Sequence, residues 1–370
     1  MVNTHSLAGT FALVEPHLPQ ALLGDGGRER LRSAASSLPA ALSRCLYLEL
    51  DPGVPGLVDL IVDVDAAGRD ILAGHSVLRL DAGLSAGPAW GRVGAFARAW
   101  LEPGGRLQTA VRDAWLEFDL GPATGLPAPS VFVDFSTTIV QIERASSVDA
   151  IVLAAESLRF AIDAAALAML ERAAGALPPH ATVLYAGFML ARPTDAIRLC
   201  IMGLSPSDVL AFLRAIDWSG DLATAREIMA SLAAPCGGGQ SRPALVHVDI
   251  GCAVGQTIGF EYPFARVPQL RGALAEQAVL DTLASRGLLG AGQRAALDEW
   301  PGYERRTMPH ELWPAILVRR VNHVKIVIAG GARANGRAER SDRGAVRAKI
   351  YLCAEHVAAE RGPVCSARHE

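Results

Sequence analysis

The chain has 370 residues, of which 51% are hydrophobic and 20% charged. That is enough apolar material for a sizeable core, and it excludes general disorder. With 35 lysines and arginines against 38 acids, the net charge is -3, which excludes a protein built mainly to grip nucleic acid or an anionic membrane through a basic surface.

Alternating and helical patterns then follow one another along the chain. A helix is expected over Glu29–Leu42, ahead of a strand pair Cys45–Leu50 and Leu57–Val64 that turns at Asp51-Pro52-Gly53. A second helix, Trp90–Trp100, precedes the pair Ala114–Leu120 and Ser130–Ser136 across a Gly/Pro loop. The long pattern Val148–Ala176 precedes Thr182–Ala191 and Ala196–Leu204, which turn at Arg192-Pro193-Thr194-Asp195. Ser207–Ile216, with Ser205 or Ser207 as N-cap, and Ala223–Ala233 precede Ala244–Ile250 and Thr257–Tyr262. Leu270–Arg286 and Gly292–Trp300 precede the last pair, Asn322–Ala329 and Ala348–Cys353, separated by the Arg-rich loop 331–347.

Helices followed by a strand pair, about five times over, make an α+β repeat architecture. Sequential hairpins pair antiparallel and lie side by side, so about ten strands are expected to hide their edges by closing into a barrel with the helices outside. The whole chain, 1–370, reads as one domain: N-terminal helices over 1–44, barrel repeats over 45–353 and a tail over 354–370. Alternation sets the facing. Ile197, Leu199 and Ile201 share one side, opposite Arg198 and Cys200; Val324, Ile326 and Ile328 lie opposite His323 and Lys325.

If the apolar side packs on helices, the other side lines the barrel. That lining holds Tyr47, Glu49, Asp59, Asp63, Trp115, Glu117, Asp119 and Asp134 in the early strands. The later strands supply Arg198, His247, Asp249, Glu261, Lys325, Lys349 and Tyr351. So many ionisable groups do not suit a sealed apolar core, because an unpaired buried charge costs several kcal/mol or changes protonation. A wet, functional lumen is expected instead, and its later strands would orient an anionic group toward Arg198, Lys325 and Lys349.

The helix–helix–strand–strand order from about Glu29 to Cys353, with Lys349-Ile350-Tyr351 in the last strand, resembles the ABBA barrel of aromatic, indole and peptide prenyltransferases. The resemblance implies a transferase that moves an isoprenyl group from a diphosphate donor to an aromatic or peptide acceptor, in bacterial natural-product assembly. Arg198, Lys325, Lys349 and Tyr351 would then hold the diphosphate, and Glu49 or Glu117 would take the acceptor's proton. Tyr47, Trp115 and Tyr262 would face the allylic cation. Tyr47, Asp59, Asp63, Trp115, Asp119, Asp134, His247, Asp249 and Glu261 would contact the substrate.

The early strands depart from that family in carrying acids where cations are wanted. Asp59, Asp63 and Asp119 would either recruit a diphosphate through Mg²⁺, although no cofactor is required by the sequence, or recognise a cationic peptide or small metabolite without any prenyl transfer. His247-Val248-Asp249 with Glu261 is read as a salt-bridged group before a metal site. Gly237-Gly238-Gly239 follows a helix and precedes a strand, the wrong order for a phosphate loop. The mean hydropathy of +0.25 is high, yet the most apolar stretch, 150–170, is interrupted by Glu156, Arg159 and Asp163, so no membrane span is expected. No secretion signal opens the sequence. Six cysteines without a Cys-x-x-Cys (Cys45, Cys200, Cys236, Cys252, Cys353 and Cys365) read as reduced thiols of a cytoplasmic protein. The alanine- and arginine-rich composition, with very few lysines, fits a GC-rich bacterial coding bias.

Overall fold

The computed structural model describes residues 6–54, 56–121, 125–135, 144–233, 243–264, 274–307, 314–330 and 346–358. Cys236, Cys365, the Gly237–Gly239 run, Ser136 and most of the 331–347 loop lie outside these residues.

Eleven strands form one antiparallel sheet: β1 (Cys45–Leu50), β2 (Val58–Asp63), β3 (Asp113–Phe118), β4 (Ser130–Asp134), β5 (Thr182–Phe188), β6 (Ile197–Met202), β7 (Leu245–Ile250), β8 (Val254–Pro263), β9 (Gly302–Thr307), β10 (Pro314–Ala329) and β11 (Val346–Ala358). From β1 to β8 each pairs with its neighbour in order. β10 pairs with both β8 and β11, and β11 pairs with β1, so ten strands close into a barrel. β9 lies outside that ring, paired with the first half of β10.

The outward residues Leu46, Leu48, Leu60, Val62, Leu116, Phe118, Leu199, Val246, Phe260, Ile326 and Ile350 belong to one buried cluster with helix residues. Those helix residues include Phe11, Trp90, Trp100, Leu170, Phe212, Ile228 and Leu283. A helix layer therefore wraps the barrel, and the opposite face of each strand is left to the lumen. Among the described residues, no helix is long and apolar enough to cross a membrane.

Four differences from the sequence reading have local causes. The long 148–176 pattern is two helices, Arg144–Ser157 and Ala164–Gly175. Arg159 turns left-handed there at φ 49°, and Asp163 caps the second helix by accepting from the Ala166 N–H. Helix Ala66–Ala73 was not expected, although Asp65 caps its start and Gly74, at φ 81°, ends it. β9, with the sequence Gly-Tyr-Glu-Arg-Arg-Thr, offers no apolar alternation. β11 runs on through residues 354–358, which the sequence reading placed in a tail.

Candidate active site

The described residues enclose a cavity at one end of the lumen. A cavity of about 360 Å³ sits at the end of the barrel where β2 begins and β3 finishes, a size suited to one small-molecule ligand. Its charged lining is Asp59, Asp119, Asp249, Arg192, Arg198, Lys325, Arg347 and Lys349, with Leu57, Ile258 and Val327 as its apolar wall.

Carboxylates of the same barrel position these cations. Arg198 donates from Nε and Nη2 to the two oxygens of Asp249, at 2.7 and 3.0 Å, directly across the β6–β7 ladder. Arg192 donates from Nε and Nη2 to Asp119, at 2.7 and 2.6 Å, and from Nη2 to Glu117 at 3.0 Å. Both forks leave the Nη1 donors for another acceptor. Arg347 lies 3.5 Å from Asp51.

Lys325 and Lys349 are the only lysines in the chain, and they sit opposite each other on β10 and β11. Both reach Glu49: Lys349 by a direct hydrogen bond, Lys325 at 3.7 Å. The Tyr351 hydroxyl donates to the other oxygen of Glu49. Burial opposes ionisation of Glu49, but the charges of Lys349 and Lys325 and the two hydrogen bonds hold its carboxyl well below the usual range. Lys349 is raised despite its burial because Glu49 faces it, whereas burial lowers Lys325. Gly259 of β8 makes room for Lys325: a Cβ there would stand 3.2 Å from its Cδ and 3.3 Å from the His247 Cβ.

Asp59 differs from the other acids. One oxygen accepts the Leu120 N–H at 2.9 Å. Burial first, and then the neighbouring Glu49, Glu117 and Asp119, push its carboxyl up to about 7. Burial and Glu49 also raise Glu117, against the pull of Arg192. The cavity thus holds one carboxyl poised to exchange a proton near neutral pH.

His247 also lines the cavity and bridges two strands. Its Nε2 lies 3.0 Å from Glu261 and its Nδ1 3.3 Å from the Cys200 thiol. Burial and the charges of Lys325 and Arg198 keep it well below the ordinary imidazole value, so Nε2–H donates to Glu261 and Nδ1 accepts from the thiol. His323 stacks on Tyr351 with ring centres 3.8 Å apart. Mainly through burial, His323 is held at about 4 and stays neutral.

The sequence reading is corrected in three respects. Tyr47, Asp63, Trp115 and Asp134 face the lumen but lie toward its opposite end, away from the cavity. There Asp134 pairs with Arg112, Asp63 accepts from the Ser43 hydroxyl and the Cys45 N–H, and Trp115 packs edge-on against Tyr185 at 5.2 Å. Tyr262 points out into the helix layer. Glu49, Glu117, Glu261 and Tyr351 sit behind the cavity wall rather than in it. Arg192, in a stretch read only as a turn, and Arg347, at the edge of the Arg-rich loop, are cavity residues the sequence reading missed. A signal for the lysines was available: a composition that chooses arginine everywhere else keeps lysine at two facing strand positions.

Among the described residues, the group of three potential metal-ligand side chains that comes together is Cys45, Cys353 and Glu355, at the far end. The cavity acids form no such group.

No protein-family model and no curated protein matches the chain. Solved structures do. A 6-dimethylallyl tryptophan synthase aligns at 14% identity over 94% of each chain, with a TM-score of 0.51. The prenyltransferase PriB in ternary complex with L-tryptophan and dimethylallyl thiolodiphosphate aligns at 14% identity over 96% of this chain and 97% of that one, with a TM-score of 0.49. AnaPT from Neosartorya fischeri aligns at 12% identity over 85% and 78%, with a TM-score of 0.45. The likeness to the first establishes the fold, the ABBA barrel.

Proposed function

We propose that this ABBA barrel transfers an isoprenyl group from a diphosphate donor to an aromatic acceptor. The observation that carries the reading is the charge on the cavity wall, where five cations (Arg192, Arg198, Lys325, Arg347 and Lys349) meet three carboxylates. One of the three, Asp59, is half protonated near pH 7. A cationic ligand would find Asp119 and Asp249 already engaged by arginines. A diphosphate would find the remaining Nη1 donors of Arg192 and Arg198 and the ammonium groups of Lys325 and Lys349, which Glu49 holds in place.

In this reading the allylic C–O bond breaks and its electron pair leaves with the diphosphate, whose growing charge the fixed cations stabilise. The acceptor ring bonds the allylic carbon and passes its displaced proton to Asp59. Glu49, locked by Lys349 and Tyr351, positions the cations instead of acting as base. The leaving group's charge falls, in this reading, on the barrel's own side chains. The name of a structural neighbour, a 6-dimethylallyl tryptophan synthase, suggests the first pair to try.

The test is turnover by the full chain with dimethylallyl diphosphate and L-tryptophan, followed by diphosphate release and mass spectrometry of the acceptor. Prenylated product is expected, formed at least about tenfold more slowly by Asp59→Asn, which keeps the Leu120 hydrogen bond but cannot take a proton. Product formation unchanged in Asp59→Asn would remove Asp59 as the base. Absence of product and of diphosphate release across tryptophan, tyrosine and small phenols would reject the transferase reading.

A further inference from the structure

At the end of the barrel away from the cavity, the first and last strands meet along the seam that closes the ring. Cys45 of β1 lies opposite Glu355 of β11, and Tyr47 lies opposite Cys353. The two sulfurs, 308 positions apart in sequence, come within 3.3 Å. Both cysteines are buried, and a Glu355 oxygen completes a cluster whose ligand atoms all lie within 4.8 Å of one another. We propose that Cys45, Cys353 and Glu355 bind a zinc ion that clips β1 to β11.

The donor set, the charge and the geometry each support zinc. Two thiolates and a carboxylate suit a borderline-soft ion at about 2.3 Å to sulfur and about 2.1 Å to oxygen. A tetrahedron with such bonds spaces its ligand atoms by about 3.4–3.8 Å, so the cluster would contract by up to about 1.2 Å around Glu355 and open by about 0.5 Å between the sulfurs. On binding, both thiols release their protons to solvent. Two thiolates and Glu355 then carry three negative charges, Zn²⁺ supplies two positive ones, and the Arg320 guanidinium, 3.6 Å from Glu355, supplies the third. The Glu355 side chain is 43% exposed, which gives the ion a path in and leaves room for a water as fourth ligand.

A disulfide fits less well. The cysteines are diagonal rather than opposite in the ladder. Diagonal partners across antiparallel strands have Cα atoms about 7–8 Å apart, whereas disulfides rarely exceed about 6.8 Å. An intervening ion removes that mismatch.

The full chain, reduced and stripped with a chelator, would be titrated with Co²⁺ and then with Zn²⁺. The site predicts one ion per chain, a thiolate-to-cobalt charge-transfer band that zinc abolishes, and a zinc-dependent rise in Tm. The band should vanish in Cys45→Ser and in Cys353→Ser, and Glu355→Gln should weaken binding by more than about tenfold. No thiolate band in the wild type would overturn the proposal, as would a band that survives both serine variants. So would a Cys45–Cys353 disulfide found by non-reducing peptide mapping in protein that takes up no metal. If the serine variants do not fold, Glu355→Gln at the exposed rim decides, because unchanged affinity there rejects the site.

Discussion

The two ends of the barrel are made by the same strands with the same alternation, yet one end lines a cavity with charge and the other packs aromatic rings. At the cavity end the inward side chains are long and charged, and each cation is tied to a carboxylate elsewhere on the barrel, as Arg198 is to Asp249 on the neighbouring strand and Arg192, in the turn after β5, is to Asp119 at the end of β3. Such forks hold their heads against the wall, so charge lines a space instead of collapsing into it. At the other end Trp115, Tyr185 and Phe132 supply rigid rings, and Gly187 lets Phe132 lie flat across β5, where a Cβ would stand 2.5 Å from its Cε1. The Glu49 layer divides the two ends: paired charge lines one, and aromatic volume packs the other.

Removing the dividing layer should have the largest effect. Glu49→Leu leaves Lys349 and Lys325 facing each other without their buried counter-charge, and is expected to cost about 3–5 kcal/mol in urea unfolding. A loss below about 1 kcal/mol would mean that the layer does not hold the ends apart.

Next comes Asp59, the one cavity acid without a cation fork. Its folded value of about 7 lies above its ordinary 3.8, so between those values the folded chain holds a proton that the unfolded chain has released. Stability is therefore lost as pH rises through that window. Asp59→Asn removes the loss, and should be more stable than the parent at pH 8 by about 2–4 kcal/mol, with the difference fading toward pH 4. A difference that grows toward acid pH would reverse the assignment.

The smallest effect belongs to the aromatic end. Trp115→Phe trims the contact with Tyr185 and should cost about 1 kcal/mol in thermal unfolding while leaving diphosphate affinity unchanged. A matching loss of affinity would show that the aromatic end and the cavity are one site.

Much of this fold was legible because alternation survives in short strands. Ile197-Arg198-Leu199-Cys200-Ile201 and Asn322–Ala329 declare their two faces, and the facing of Glu49, Asp59, Glu117, Arg198, Lys325 and Lys349 follows from parity alone. The first half of β10, Ala-Ile-Leu-Val-Arg-Arg-Val, hides its parity behind consecutive apolar residues, and a register shift after Val321 breaks it again. Depth along the barrel axis was not legible at all. Parity says that Asp134 and Asp249 both point inward, but only strand tilt and closure put one at each end. The pairing of Glu49 with Lys349, 300 positions away, exists only once the ring has closed.

The central claim, that the cavity is built for an anionic diphosphate, is tested most directly by isothermal calorimetry with dimethylallyl diphosphate, followed by amine labelling of the same samples. The account predicts saturable one-site binding that weakens about 10- to 100-fold in Arg198→Ala, with the bound ligand shielding Lys349 from the amine reagent. Absence of binding, or tighter binding of a dimethylallyl ammonium analogue than of the diphosphate, would contradict it.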